Sequence, residues 1–222
     1  MNLTLFDLDG TLIPVDSDHA FGGFMVEVGW VDGADWGARN DEFFAQYNAG
    51  TLDLAAYIDF ATSAWRARPL DEALAMRERF MAEVMRPALR PEAVALVERH
   101  RAAGDLMAIV TATNVFVTEP IAQSFGIEHL IAVDLKRDVQ GRYSGEIDGI
   151  PSFREGKIAR VENWLQGLGA QWRDFERVSF YSDSTNDLPL LERVSHPVAT
   201  NPSPSLAAVA SARGWPQLHL FA

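Results

Sequence analysis

The chain opens on an apolar run, Leu3, Leu5 and Phe6, which reads as a short buried strand stopped by Gly10 and Pro14. Beyond Pro14 the apolar period lengthens to that of a helix. Phe21, Phe24, Met25 and Val28 share one face behind Ser17 or Asp18 as N-cap. Phe43, Phe44 and Tyr47 make a second face closed by Gly50. Leu54, Ile58, Ala61 and Trp65 make a third, and Ala73, Met76, Phe80 and Val84 a fourth, before Pro87 and Pro91 interrupt. Four amphipathic helices with no strand among them predict a small bundle over residues 15–87.

From Pro91 the rhythm alternates. A helix from Glu92 to Ala103 lies between Pro91 and Gly104, and the strand Leu106 to Val110 follows. A helix from Val115 to Phe125 and a strand from Leu130 to Val133 come next. The segment Leu135 to Ile150, with Gly141, Gly145 and Gly149, reads as a hairpin or loop. Helix Arg154 to Leu168, strand Val178 to Tyr181, helix Asp187 to Arg193 and a strand near Val198 continue the pattern. A last helix begins at Asn201-Pro-Ser-Pro204, and Gln217 to Phe221 is a terminal strand. This alternation predicts an α/β fold, a parallel sheet covered by helices on both faces. The core comprises residues 1–14 and 88–222, with 15–87 folded over the strand ends.

Composition narrows the function. At 222 residues, with 48% apolar positions, the chain can bury a substantial core. A formal charge of −12 argues against binding a nucleic-acid backbone. The absence of cysteine removes disulfides and thiolate metal sites, and no run is long and apolar enough for a membrane span. With no charged-then-apolar leader at the start, a soluble cytoplasmic protein acting on a small molecule is expected.

The chemistry gathers where strands end. Asp7 and Asp9 lie two apart at the end of the first strand, so both can face one pocket. Two further apolar runs also end in polar residues, one at Thr111 and the other at Ser182-Asp183. In a parallel sheet, ligands bind beyond the carboxyl ends of the strands, which would bring Asp7, Asp9, Thr111 and Asp183 to one rim. So negative a pocket calls for a hard divalent cation with oxygen ligands, Mg2+ above all.

Asp7-Leu8-Asp9-Gly10-Thr11 resembles the first motif of the haloacid dehalogenase superfamily of phosphatases. Thr111 resembles the second, Lys157 the third, and Asp183-Ser184-Thr185-Asn186-Asp187 the fourth, in family order. The insert resembles that of the helical-cap branch containing phosphoserine phosphatase. Thr111-Ala-Thr-Asn114 and Pro151-Ser-Phe-Arg-Glu-Gly-Lys157 resemble a phosphoserine-phosphatase-like bacterial group that includes histidinol-phosphatases. The resemblance implies a Rossmann-like core with a small α-helical cap. It implies that Asp7 is the nucleophile, forming an aspartyl-phosphate, and that Asp9 is the general acid and then the base. Thr111, Lys157 and Asn186 would bind the phosphate. Asp7, Asp183 and the main-chain carbonyl of Asp9 would hold Mg2+, with Asp187 orienting a metal-bound water. Asp16, nine residues beyond Asp7, stands where phosphoserine phosphatases carry an acid for the substrate amine, with Asp18 and His19 close by. The family's cap arginine for the substrate carboxylate has no clear counterpart, Arg39 being one weak candidate, and that gap tilts the expected substrate from phosphoserine toward an amine lacking a carboxylate, such as histidinol phosphate. A phosphomutase of the same fold and a catalytically silent metal-binding regulator are the rival readings. The five histidines show no zinc-type spacing, and neither a G-x-S-x-G elbow nor a P-loop occurs.

Overall fold

The computed structural model describes residues 1–221. Its centre is β1 (Leu3–Phe6), flanked in parallel by β2 (Leu106–Asn114) and β6 (Val178–Ser182). With β3 (His129–Val133), β7 (His196–Thr200) and β8 (Gln217–Leu218) they form a six-stranded sheet of order β3-β2-β1-β6-β7-β8, parallel throughout. Strand alternation divides the core. Leu3, Leu5, Ala108, Val110 and Phe180 face one apolar cluster, and Phe6 and Ile109 the other. The first cluster is covered by α8 (Glu155–Gly167), α9 (Leu188–Arg193) and α10 (Pro204–Arg213), through Val161, Leu165, Leu190 and Leu206. The second is covered by α6 (Pro91–Ala102) and α7 (Val115–Ser124), through Leu96, Val97 and Ile121.

The insert is helical: α1 (Ser17–Glu27), α2 (Asp35–Ala49), α3 (Leu54–Arg66) and α4 (Leu70–Phe80). Its docking is aromatic. Trp65 of α3 stacks on Phe116 of α7 at 4.0 Å between ring centroids, and Arg77 Nη1 donates to the Phe116 carbonyl at 3.0 Å. The sequence pattern places a break at Pro87. In the structure the chain instead continues from α4 through a π-helical turn (Met81–Met85) into α5 (Arg86–Ala88), and extends only at Leu89. Proline within the first turn of a new helical segment gives up no hydrogen bond, and the π turn absorbs the change of register.

The glycine-rich stretch is a hairpin, β4 (Leu135–Arg137) with β5 (Tyr143–Ile147), separate from the main sheet. It lies against the cap: Arg66 Nη1 donates to the Ser144 carbonyl at 2.7 Å. Gly145, at φ 87°, leaves room for that guanidinium, because a Cβ there would sit 2.3 Å from the Arg66 Cζ. Among the described residues no helix is long and apolar enough to cross a membrane.

Candidate active site

Strand β1 ends at Phe6, and the next residues carry the chemistry. The Asp7 amide donates to the Tyr181 carbonyl at 2.9 Å, which prolongs the β1–β6 pairing by one residue and fixes the Asp7 backbone. Asp7 is only 3% exposed. From α8, Lys157 reaches it through the protein interior, its Nζ 2.9 Å from Asp7 Oδ1 and 2.8 Å from Asp187 Oδ2. Ser182 Oγ holds the same Asp187 oxygen at 2.8 Å. Burial works against the charge on Lys157, but Asp187 and Asp7 outweigh it and raise its pKa. Burial pushes Asp7 well above the carboxylate range; Lys157 opposes this, and Asp187 and Asp183 reinforce it.

Asp183 meets the first motif from β6. Thr11 Oγ1 donates to its Oδ1 at 3.2 Å, and a Cβ on Gly10 (φ 72°) would fall 2.5 Å from its Oδ2. Only glycine lets the two segments approach so closely. Burial and then the charge of Asp187 push Asp183 up to about 7. Among the described residues no three His, Cys, Asp or Glu side chains converge as a ligand set. Buried Asp7 and half-buried Asp183, both raised by burial and by neighbouring negative charge, are oxygen donors of the kind a hard divalent cation takes. The donor chemistry fits such an ion.

The Asp9 side chain is engaged elsewhere. The Ser17 amide donates to Oδ1 at 2.7 Å, and Thr113 Oγ1 to Oδ2 at 2.8 Å, with Thr111 Oγ1 at 3.4 Å. Thr111 in turn accepts the Thr113 amide at 3.1 Å. Burial raises Asp9, and these donors lower it. Asp7, Asp9 and Thr111 line one pocket with Asp16 and, from the cap, Phe43, Phe44, Tyr47, Leu52, Leu54 and Tyr57.

Asp16 caps α1, its Oδ1 accepting the His19 amide at 2.8 Å, and lines the pocket as well; capping and pocket placement coexist. Burial, then the charge of Asp9, pushes it up to about 7. Asp18 lies behind, with Asn114 Nδ2 at 3.1 and 3.2 Å from its two oxygens and the Tyr57 phenol beside it. Burial, then the charges of Asp16 and Asp9, pushes Asp18 up to about 8.

Three expected residues have partners of other kinds. Asn186 Nδ2 donates to the Tyr47 carbonyl of the cap at 3.2 Å. The His19 ring pairs with Asp41 at 2.8 Å and stacks on Phe44. Arg39 is exposed, its guanidinium 5.4 Å from the centre of the Phe43 ring and 5.8 Å from that of Phe60, and it does not line the pocket. Ser17, Tyr47, Tyr57, Thr113 and Arg154 join the site without having been singled out. Thr113 and Arg154 lie inside quoted motifs, Thr111-Ala-Thr-Asn114 and Pro151-Ser-Phe-Arg-Glu-Gly-Lys157, but neither was the residue those motifs were read for. The Ser17 contribution is a main-chain amide, which has no side-chain signature.

The model of the haloacid dehalogenase-like hydrolases matches residues 4–192. A histidinol-phosphatase from Neisseria meningitidis serogroup C (strain 8013) is 40% identical over 218 residues, 98% of each chain. A crystal structure of a protein of unknown function from Bordetella pertussis Tohama I superposes with a TM-score of 0.94 at 49% identity, covering 99% of both chains. A substrate-bound phosphoserine phosphatase superposes with a TM-score of 0.68 at 16% identity, over 98% of this chain and 92% of that one, a likeness of fold.

Proposed function

The chain belongs to the haloacid dehalogenase-like hydrolase family, and from that membership we propose that it is a Mg2+-dependent phosphomonoesterase. It acts through an aspartyl-phosphate on a small amine-bearing metabolite phosphate, histidinol phosphate first and phosphoserine next. One observation carries the reading. A nucleophile-grade carboxylate paired with a buried lysine, Asp7 with Lys157 at 2.9 Å, opens into a pocket whose outer part offers Asp16 and aromatic rings.

Asp7 attacks phosphorus in line as the bond to the leaving oxygen breaks, which divides one hard displacement into two. Asp9, aimed by the Ser17 amide and Thr113, gives its proton to the leaving alkoxide. It then takes a proton from the water that cleaves the aspartyl-phosphate, and inorganic phosphate leaves. The Lys157 ammonium and the Thr111 hydroxyl meet the charge on the transferring group. A divalent cation, held by Asp7, Asp183 and the main-chain carbonyl of Asp9 with Asp187 behind them, supplies when bound the positive charge that lets a phosphate dianion approach carboxylates. The Asp187 side chain, tied to Lys157 and Ser182, keeps the ammonium directed at Asp7.

The leaving group is selected by what the pocket contains. Asp16 offers a negative charge to an amine, and Phe43, Phe44 and Tyr57 offer ring faces to an aromatic cation. No Arg or Lys is among the described lining residues, so a substrate carboxylate has no ionic partner there. This favours histidinol phosphate over phosphoserine, in line with the Neisseria relative.

The test is a phosphate-release screen with Mg2+ over histidinol phosphate, phosphoserine, sugar phosphates and p-nitrophenyl phosphate. The highest kcat/KM is expected for histidinol phosphate. An isomerised phosphate ester in place of free phosphate would make the protein a phosphomutase. No turnover of any ester would make it a metal-binding regulator.

A further inference from the structure

The pocket is lined by two phenols, Tyr47 and Tyr57. Tyr57 stands beside Asp18 and lines the pocket with Asp16. The Tyr47 ring centroid lies 6.4 Å from that of Phe153, in the segment that leads to Lys157. A phenol is a hydrogen-bond donor at physiological pH. Tyr47 belongs to the cap, yet it lines the same pocket as Asp7 and Thr111.

Its placement is enforced by the core. Tyr47 lies in the last turn of α2, its carbonyl accepting the Gly50 amide at 3.1 Å. Asn186 Nδ2, beside Asp187, donates to the Tyr47 carbonyl at 3.2 Å, and the Arg154 guanidinium donates to the carbonyl of Gly50, the residue that closes α2. The cation also meets the negative end of that helix. Arg154 stands three residues before Lys157 and has φ 50°, a left-handed conformation unfavourable for a bulky side chain. A strained residue beside the catalytic lysine therefore spends its side chain on the helix end that bears Tyr47.

On the phosphatase reading above, we propose that Tyr47 is a cap-borne binding residue for the phosphoryl group, its hydroxyl donating to a phosphoryl oxygen at Asp7 while Arg154 and Asn186 hold the helix end that carries it. The cap then contributes to the chemical centre as well as to leaving-group choice, and the phosphate site is complete only when the cap is seated.

Tyr47→Phe keeps the ring and removes only the hydroxyl. The variant and the wild type are compared in kcat/KM for histidinol phosphate and for p-nitrophenyl phosphate, and in inorganic phosphate binding by calorimetry with Mg2+. Loss of a hydrogen bond to a charged oxygen should lower both kcat/KM values by about tenfold or more, leaving their ratio unchanged, and should weaken phosphate binding comparably. Unchanged phosphate binding, or a loss confined to histidinol phosphate, would overturn the proposal and make Tyr47 a wall of the leaving-group pocket. Wild-type protein that hydrolyses nothing but binds phosphate through the Tyr47 hydroxyl would sink the phosphatase reading and uphold the contact. Absence of any phosphate binding would remove both.

Discussion

Two acid clusters flank this pocket, and they are neutralised differently. On the sheet side Asp7 and Asp187 close on a buried ammonium, Lys157, at 2.9 and 2.7 Å, and Asp183 receives a hydroxyl. On the cap side Asp9, Asp16 and Asp18 receive only neutral donors: the amides of Ser17 and His19, the Thr113 hydroxyl and the Asn114 side chain. A fixed cation beside a carboxylate opposes the rise that burial imposes on it, whereas neutral dipoles offset burial without supplying charge. The first cluster is therefore arranged for chemistry on any phosphate ester. The second is arranged for a ligand that brings its own cation.

The deepest break in that contrast comes from the sheet side. Asp7→Asn should reduce phosphate release below detection for every ester, since an amide cannot accept the phosphoryl group. Lys157 keeps Asp187 in that variant, so the circular dichroism spectrum and thermal unfolding should stay near those of the wild type. Near-normal turnover would remove Asp7 as nucleophile. Lys157→Ala should lower kcat about 10²- to 10³-fold, the usual loss for one charge-stabilising donor. The loss should be equal for amine and non-amine esters. An unequal loss would mean that the ammonium reads the leaving group.

The cap-side cluster should respond selectively. Asparagine caps a helix as well as aspartate does, so Asp16→Asn leaves α1 intact while removing its charge. We expect kcat/KM for histidinol phosphate to fall roughly 10- to 100-fold, the worth of one charge-assisted contact, with p-nitrophenyl phosphate nearly unaffected. Parallel losses on the two esters would reassign Asp16 to positioning Asp9.

Much of the sheet side was legible in the sequence because its residues follow from local pattern. A strand ending in Asp-x-Asp-Gly needs only a parallel sheet to bring Asp7 against Asp183, and Gly10 marks the close approach. The cap side was harder to read. Tyr47 and Tyr57 sit on apolar faces indistinguishable from ordinary core stripes, and only docking of the bundle on the rim turns them inward. Arg154 precedes Lys157 in a motif read for its lysine, and its role depends on a helix end a hundred residues earlier. The hairpin β4–β5 was expected as such, but its attachment to α3 through Arg66 follows from tertiary packing alone.

The finest test concerns Asp18, which never reaches the pocket lining and so isolates the electrostatics from the chemistry. Its carboxyl faces Asp16 and Asp9, the Tyr57 phenol and the Asn114 amide, and is pushed up to about 8. Between the ordinary carboxylate range and pH 8 the folded protein therefore keeps a proton that the unfolded chain has released. Stability must fall as pH rises through that window, by about 1.4 kcal/mol per pH unit at most for one group. Asp18→Asn removes this proton. From pH 6 to 8 the variant should gain on the wild type by roughly 2 to 3 kcal/mol, or about 5 to 10 °C in Tm for a chain of this size. The gap should close toward pH 4, where the carboxyl is protonated in both states and the two side chains are near-isosteres. Curves of Tm against pH that run parallel from 4 to 8 would mean that Asp18 is ionised in the folded protein, and that the cap side is already neutralised by a cation of its own.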